Sequence, residues 1–125
     1  MFLLNDDEIR QRIDDGMIDG AALEQVRSGI ISYGVTSFGY DMRCATEWQI
    51  WERNHVATID PKRNDLHKHL APITAGSIRI GPGDFALCRS VEYFRIPEDV
   101  MCIVVGKSTY ARCGLIVNCT PLALS

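Results

Sequence analysis

The chain has no apolar run approaching the roughly 20 residues of a membrane-spanning helix, so it reads as non-membrane. It has no basic excess: 13 Lys and Arg against 16 Asp and Glu leave a net charge of −3, which argues against long nucleic acid as a partner. No C-x-x-C pair occurs among its five cysteines, Cys44, Cys88, Cys102, Cys113 and Cys119. That odd set, mostly inside apolar runs, predicts buried thiols rather than a disulfide framework. The start is acidic and lacks the basic, apolar and small-residue order of a secretory signal, which predicts a cytoplasmic location. No internal repeat, low-complexity tract or Ser/Gly-rich linker divides the chain, so its 125 residues, 46% of them hydrophobic, predict one domain.

What is present begins with a helix signal. In Leu4-Asn5-Asp6-Asp7-Glu8-Ile9, Asn5 can cap, Glu8 can reach back, and Leu4 can staple against Ile9. The helix is expected to end near Gly16, with Ile9 and Ile13 on the face that packs on a sheet. From Ile30 to Cys44 the chain reads as β, with Gly34 and Gly39 breaking it into pieces. Further strands are predicted at Trp48 to Trp51, Val56 to Ile59, Ser77 to Ile80, Phe85 to Arg89 and Met101 to Val105. Gly81-Pro82-Gly83-Asp84 is a turn, predicting a hairpin between its flanking strands, and Pro97 marks a similar interruption. Asp60 to Pro72 is polar enough to be a long excursion. The spacing of the strands points to a barrel or sandwich.

The chemistry concentrates in Val104 to Leu115. Gly106 permits a sharp turn after an apolar run, Ser108 can cap a short helix, and that helix start would offer free N–H groups to an anion. Lys107 and Arg112 add charge at either end, and Arg can grip phosphate through two parallel hydrogen bonds. The pattern is that of a nucleotide site. The plainer alternative is a capping Ser beside two solvated basic residues. A Walker A loop is excluded, because Met101 stands where its first Gly is required. Zinc-dependent deamination is excluded too, since neither His-x-Glu nor Pro-Cys-x-x-Cys is present. His67 and His69 lie in a polar segment that reads as a solvated loop, with no metal role assigned.

Gly106 to Asn118, with Ser37-Phe38-Gly39-Tyr40-Asp41-Met42-Arg43 upstream, resembles the dCTP deaminase family of the dUTPase-like superfamily. The likeness also takes in Ile31-Ser32-Tyr33-Gly34, Ile59-Asp60-Pro61-Lys62, Phe85-Ala86-Leu87 and Val91 to Pro97, and so most residues from Ile30 to Leu122. A lone Gly-Lys-Ser is a weak signal. A dozen ordered residues following a Gly-Tyr-Asp strand and a Tyr-Phe-Arg-Ile-Pro segment is a specific one.

The resemblance implies a distorted β-barrel or jelly roll with a short N-terminal helix, homotrimers, and active sites where subunits meet. It implies hydrolytic deamination of dCTP to dUTP and ammonia, without zinc and with Mg2+ carried on the triphosphate. Lys107, Ser108, Thr109, Tyr110, Ala111 and Arg112 match the substrate-binding turn, with Ser108 and Arg112 as the catalytic pair and Tyr110 and Ala111 expected to pack inward. If the turn is helical, Ser108 and Arg112 stand four residues apart on one face. Asp41 and Arg43 match the first superfamily motif, where a charged pair serves the interface or the nucleotide, and the structural role is favoured. Asn118 to Pro121 lies where the family's backbone lines the base pocket, and Cys119 is expected to pack.

The likeness stops after Leu122, so the fold is expected to be incomplete at its C-terminus, without the segment that carries the family's catalytic Glu. Glu92 lies on a predicted Val91–Phe94 strand and is not the equivalent of that residue. Two other readings stay open: a nucleotide-binding module without catalysis, and a dUTPase-type or bifunctional diphosphatase. The local sequence Lys107 to Arg112 favours the deaminase version of the turn.

Overall fold

The computed structural model describes residues 2–51, 60, 62 and 69–118. These fall into two compact units: one holds the described residues up to Met42 and from Glu92 onward, the other those from Arg43 to Val91.

The first unit opens with helix α1, Asp6–Asp14. The capping box forms as its sequence predicts: the Asn5 side-chain oxygen accepts the Glu8 N–H at 2.9 Å, and the Glu8 carboxylate accepts the Asn5 N–H at 2.9 Å. Arg10 Nη1 then donates to Asp6 at 2.9 Å and Asp7 at 3.1 Å, while its Nε donates to the Leu23 carbonyl. The helix ends as a Schellman motif. The Gly16 N–H reaches the Ile13 carbonyl and the Met17 N–H reaches that of Arg12, with Gly16 at φ 92°.

That ending delivers Met17 into strand β1, Ile18–Asp19. Met17 and Ile18 bury with Ile96, and Ile13, Tyr40, Phe94, Val100 and Cys102 pack around them. Strands β2, Val26–Ser28, β3, Ile31–Thr36, and β4, Gly39–Asp41, form an antiparallel meander joined by two-residue loops at Gly29-Ile30 and Ser37-Phe38. Gly34 does not break the sheet as expected; it lies inside β3. Its φ is 101°, and a Cβ there would lie 2.2 Å from the Glu24 carbonyl oxygen, so close backbone approach is what requires glycine.

The second unit is a three-stranded antiparallel sheet with β5, Cys44–Trp51, at its centre, flanked by β6, Leu70–Thr74, and β7, Ala86–Ser90. Strand β6 falls partly inside the predicted polar excursion. Pro72 is tolerated there because β6 is an edge strand. Ser77 to Ile80, expected as a strand, forms no ladder, since both sides of β5 are already occupied by β6 and β7. The Gly81–Asp84 turn does form, with the Asp84 N–H on the Gly81 carbonyl at 3.0 Å, but it closes no hairpin. Trp51 stacks on Phe85 at 5.1 Å and lies 5.6 Å from the ring of His69. His69 is buried at 7% exposure, which corrects its reading as part of a solvated loop.

Back in the first unit, strand β8, Tyr93–Phe94, pairs with β1. Glu92 precedes β8 rather than lying on it. Met101 to Val105 is extended without a partner strand: Met101, Ile103 and Val105 are exposed while Cys102 and Val104 are half-buried. The two-residue alternation expected of a strand is therefore present, and the ladder is absent. The chain is mainly β, consistent with a dUTPase-like fold, although the described strands form separate sheets and close no barrel. Among the described residues no helix is long and apolar enough to cross a membrane. The predicted Val56–Ile59 strand, His67 and Cys119 lie outside the described residues.

The thiols correct another expectation. Cys44, Cys88 and Cys113 are exposed and Cys102 is half-buried; none of these four is in a disulfide. On the narrow strands β5 and β7 and at the end of a one-turn helix, one face of each element is open to solvent.

Candidate nucleotide-binding turn

Helix α2, Ser108–Arg112, is one turn long. Its N-cap is Lys107, with extended backbone and no side-chain cap, so Ser108 is the first helical residue and not the cap that its sequence suggested. The Tyr110 and Ala111 N–H groups both reach the Lys107 carbonyl at 3.1 Å. Helix α2 closes on a second Schellman motif: the Gly114 N–H reaches Ala111 and the Leu115 N–H reaches Tyr110, with Gly114 at φ 78°. Gly106, expected to allow a sharp turn, is not at positive φ; a Cβ there would lie 3.2 Å from Val117 Cβ. Its small size lets Val117 lie against the start of the turn.

Lys107 is held from below. Its Nζ donates to Asp41 Oδ2 at 2.6 Å, to the Ser32 carbonyl at 2.9 Å and to Ser32 Oγ at 3.0 Å. Ser32 Oγ in turn donates to Asp41 Oδ2 at 3.0 Å. An ammonium has three N–H bonds, and here each has an oxygen to meet. Asp41 on β4 and Ser32 on β3 thus anchor the front of the turn, and the Lys107 charge is used inside the fold.

Ser108 and Arg112 are exposed, four residues apart on α2, with no hydrogen-bond or ion-pair partner among the described residues. A hydroxyl and a planar, permanently charged guanidinium on one face can together meet a polyanionic ligand. Thr109 and Tyr110 are half-buried. Ala111 is exposed, contrary to its expected inward packing, because a single turn has too little length to bury a full side. The Arg43 carbonyl accepts the Val91 N–H at 2.9 Å within the second unit. Asn118 is exposed, and the residues after it to Pro121 lie outside the described set.

Sequence reasoning did not give Ser32 a role, nor did it find the pairing of Glu92. Glu92 is 3% exposed and accepts a hydrogen bond from the Tyr40 hydroxyl at 3.1 Å, while that hydroxyl accepts the Ala22 N–H at 3.0 Å. Glu92 therefore helps hold Tyr40 of β4 in place. The signal available for Ser32 was its position on a strand two residues before Gly34, the residue that pairs with Asp41 in a short meander.

The anchored turn can be set beside known proteins. A model of the dCTP deaminase-like family matches residues 3–123. The chain belongs to the dCTP deaminase-like family. It is similar to the dCTP deaminase of Acidobacterium capsulatum, at 50% identity over 121 residues covering 97% of this chain and 66% of that protein. The dCTP deaminase of Pseudomonas aeruginosa strain UCBPP-PA14 is 50% identical over 127 residues, covering 98% and 67%. That of Chloroflexus aggregans is 49% identical over 113 residues, covering 90% and 60%. The chain thus spans about two thirds of the length of these relatives. The family match includes both the Asp41 strand and the α2 turn that Lys107 joins.

Proposed function

We propose that this chain takes part in hydrolytic deamination of dCTP, in which water replaces the amine of the cytosine ring to give dUTP and ammonia. The observation that carries this reading is the pairing of an anchored Lys107 with Ser108 and Arg112, one residue and five residues further on, which are exposed and have no partner among the described residues. Arg112 grips the triphosphate through its planar fork, and the Ser108 hydroxyl donates toward the nucleotide. The Ser108 and Thr109 N–H groups, the orphan donors of a helix start, face the same ligand. Lys107 positions the turn through Asp41 and Ser32. Glu92, buried against Tyr40, is not assigned to water activation.

Mg2+ enters as part of the substrate, bound by the triphosphate oxygens. Among the described residues no three His, Cys, Asp or Glu side chains gather closely enough to hold a metal ion. The proposed assembly is a cytoplasmic homotrimer with nucleotide sites where subunits meet. Support comes from two apolar side chains flanking the turn in the chain, Val105 at 76% and Ile116 at 89% exposure, which a neighbouring subunit would cover.

The test incubates the purified protein with dCTP or dUTP and Mg2+ while ammonia, dUMP and pyrophosphate are followed together. Ammonia from dCTP without pyrophosphate supports the proposal. Pyrophosphate from dUTP would replace it with a diphosphatase, and tight dCTP binding without product with a binding module.

A further inference from the structure

The second unit carries a pair of thiols that the proposed nucleotide chemistry does not use. Cys44 opens β5 and Cys88 sits within β7, and their sulfur atoms lie 3.7 Å apart, with the Cys88 thiol donating to Cys44 Sγ. We propose that Cys44 and Cys88 form an oxidisable dithiol that closes to a disulfide on reaction with a small-molecule disulfide of the glutathione type.

The geometry supports closure. A disulfide bond is about 2.05 Å long, so the sulfurs need to approach by roughly 1.7 Å. The strands are already adjacent, and the β5–β7 register is irregular between Cys44 and Trp48, so Cys44 lies where the ladder is interrupted. Such an interruption leaves the local backbone less tied to its partner. Both thiols are exposed, which gives a soluble disulfide access to them.

Partial desolvation, followed by the hydrogen bond to Cys44, pushes the Cys88 thiol up to about 11. The proposed exchange begins at Cys44, which lies at the ladder interruption. Its thiolate attacks one sulfur of the small disulfide, forming a mixed disulfide and releasing one small thiolate. Cys88 then loses its proton to solvent and its sulfur attacks Cys44 Sγ, expelling the second small thiolate. Two protein thiols and one small disulfide become one protein disulfide and two small thiols. The product ties β5 to β7 and closes the intervening chain into a loop, which restricts the unfolded state.

The test treats the native protein with excess glutathione disulfide, alkylates the remaining thiols and maps tryptic peptides. Expected is a link between the peptides Cys44–Arg53 and Ile80–Arg89, reversed by dithiothreitol, and a higher thermal midpoint of the oxidised protein. Cys44→Ser and Cys88→Ser should each keep the wild-type circular dichroism spectrum, form no link, and gain no rise in midpoint. Wild-type protein carrying glutathione on both Cys44 and Cys88, or a link that joins Cys102, Cys113 or Cys119 instead, would overturn the proposal. This readout is independent of deamination, so its failure leaves the nucleotide reading standing.

Discussion

Lys107 and Asp41, 66 residues apart in the chain, meet at 2.6 Å and join the front of the α2 turn to strand β4. Their side chains keep only 32% and 21% of their exposure, so neither charge is fully solvated. Removing one partner strands the other. Asp41→Ala and Lys107→Ala should each destabilise the first unit by about 1–3 kcal/mol. The double variant should cost clearly less than the two added together, as expected of residues in one network. Urea unfolding of the four proteins measures this, and simple additivity would show that the contact does not couple them.

Arg112 should behave in the opposite way. Being exposed and unpartnered among the described residues, it can be removed with a stability change within about 0.5 kcal/mol. Arg112→Ala should nevertheless weaken dCTP binding roughly tenfold to a hundredfold, the range for losing hydrogen bonds to a charged group. Arg112→Lys should recover little, because an ammonium cannot reproduce the planar fork. Titration calorimetry with dCTP and Mg2+ reads both, and unchanged affinity in Arg112→Ala would remove this residue from the site.

Two glycines make a contrast. At Gly34 an added Cβ meets the Glu24 carbonyl oxygen at 2.2 Å in a left-handed backbone, so Gly34→Ala should cost at least about 2 kcal/mol. At Gly106 the neighbour is the Val117 side chain at 3.2 Å, which can give by a few tenths of an ångström, and φ is not positive. Gly106→Ala should therefore be the milder change in thermal unfolding. A reversed order would mean that the turn is more tightly constrained than the strand.

The pair between Arg89 of β7 and Glu47 of β5, at 2.6 Å, makes a pH-dependent contribution. The hydrogen bond from Arg89 holds the Glu47 carboxyl below the ordinary glutamate range. A lowered folded-state value means that the contribution is complete above the unfolded glutamate range and is lost as pH falls through the folded value. The midpoint difference between wild type and Glu47→Gln should thus be visible at neutral pH, shrink with acid, and shrink with added salt, since both groups are solvent-exposed. A difference that persists in strong acid would assign it to packing.

What could be read without coordinates was what neighbours along the chain settle between themselves. The Asn5–Glu8 capping box, the helix end at Gly16 and the Gly81–Asp84 turn close over three or four residues, so residue identity is sufficient to specify them. The motif residues from Gly106 to Asn118 were likewise legible as a family signature, and the family match agrees.

Pairing across the chain was not legible. The alternation of Met101 to Val105 is that of a strand, yet nothing local supplies the partner that a ladder needs; β6 formed where polarity hid it because β5 had an open edge. Lys107 reads as a phosphate ligand or a solvated basic residue, and its ion pair with Asp41 exists only because β3 and β4 approach the turn. The exposure of Cys44 and Cys88, and their 3.7 Å separation, follow from which strands became neighbours. Short-range hydrogen bonds are determined by sequence spacing, whereas burial and charge partners depend on long-range register, which exists only once the sheets have formed.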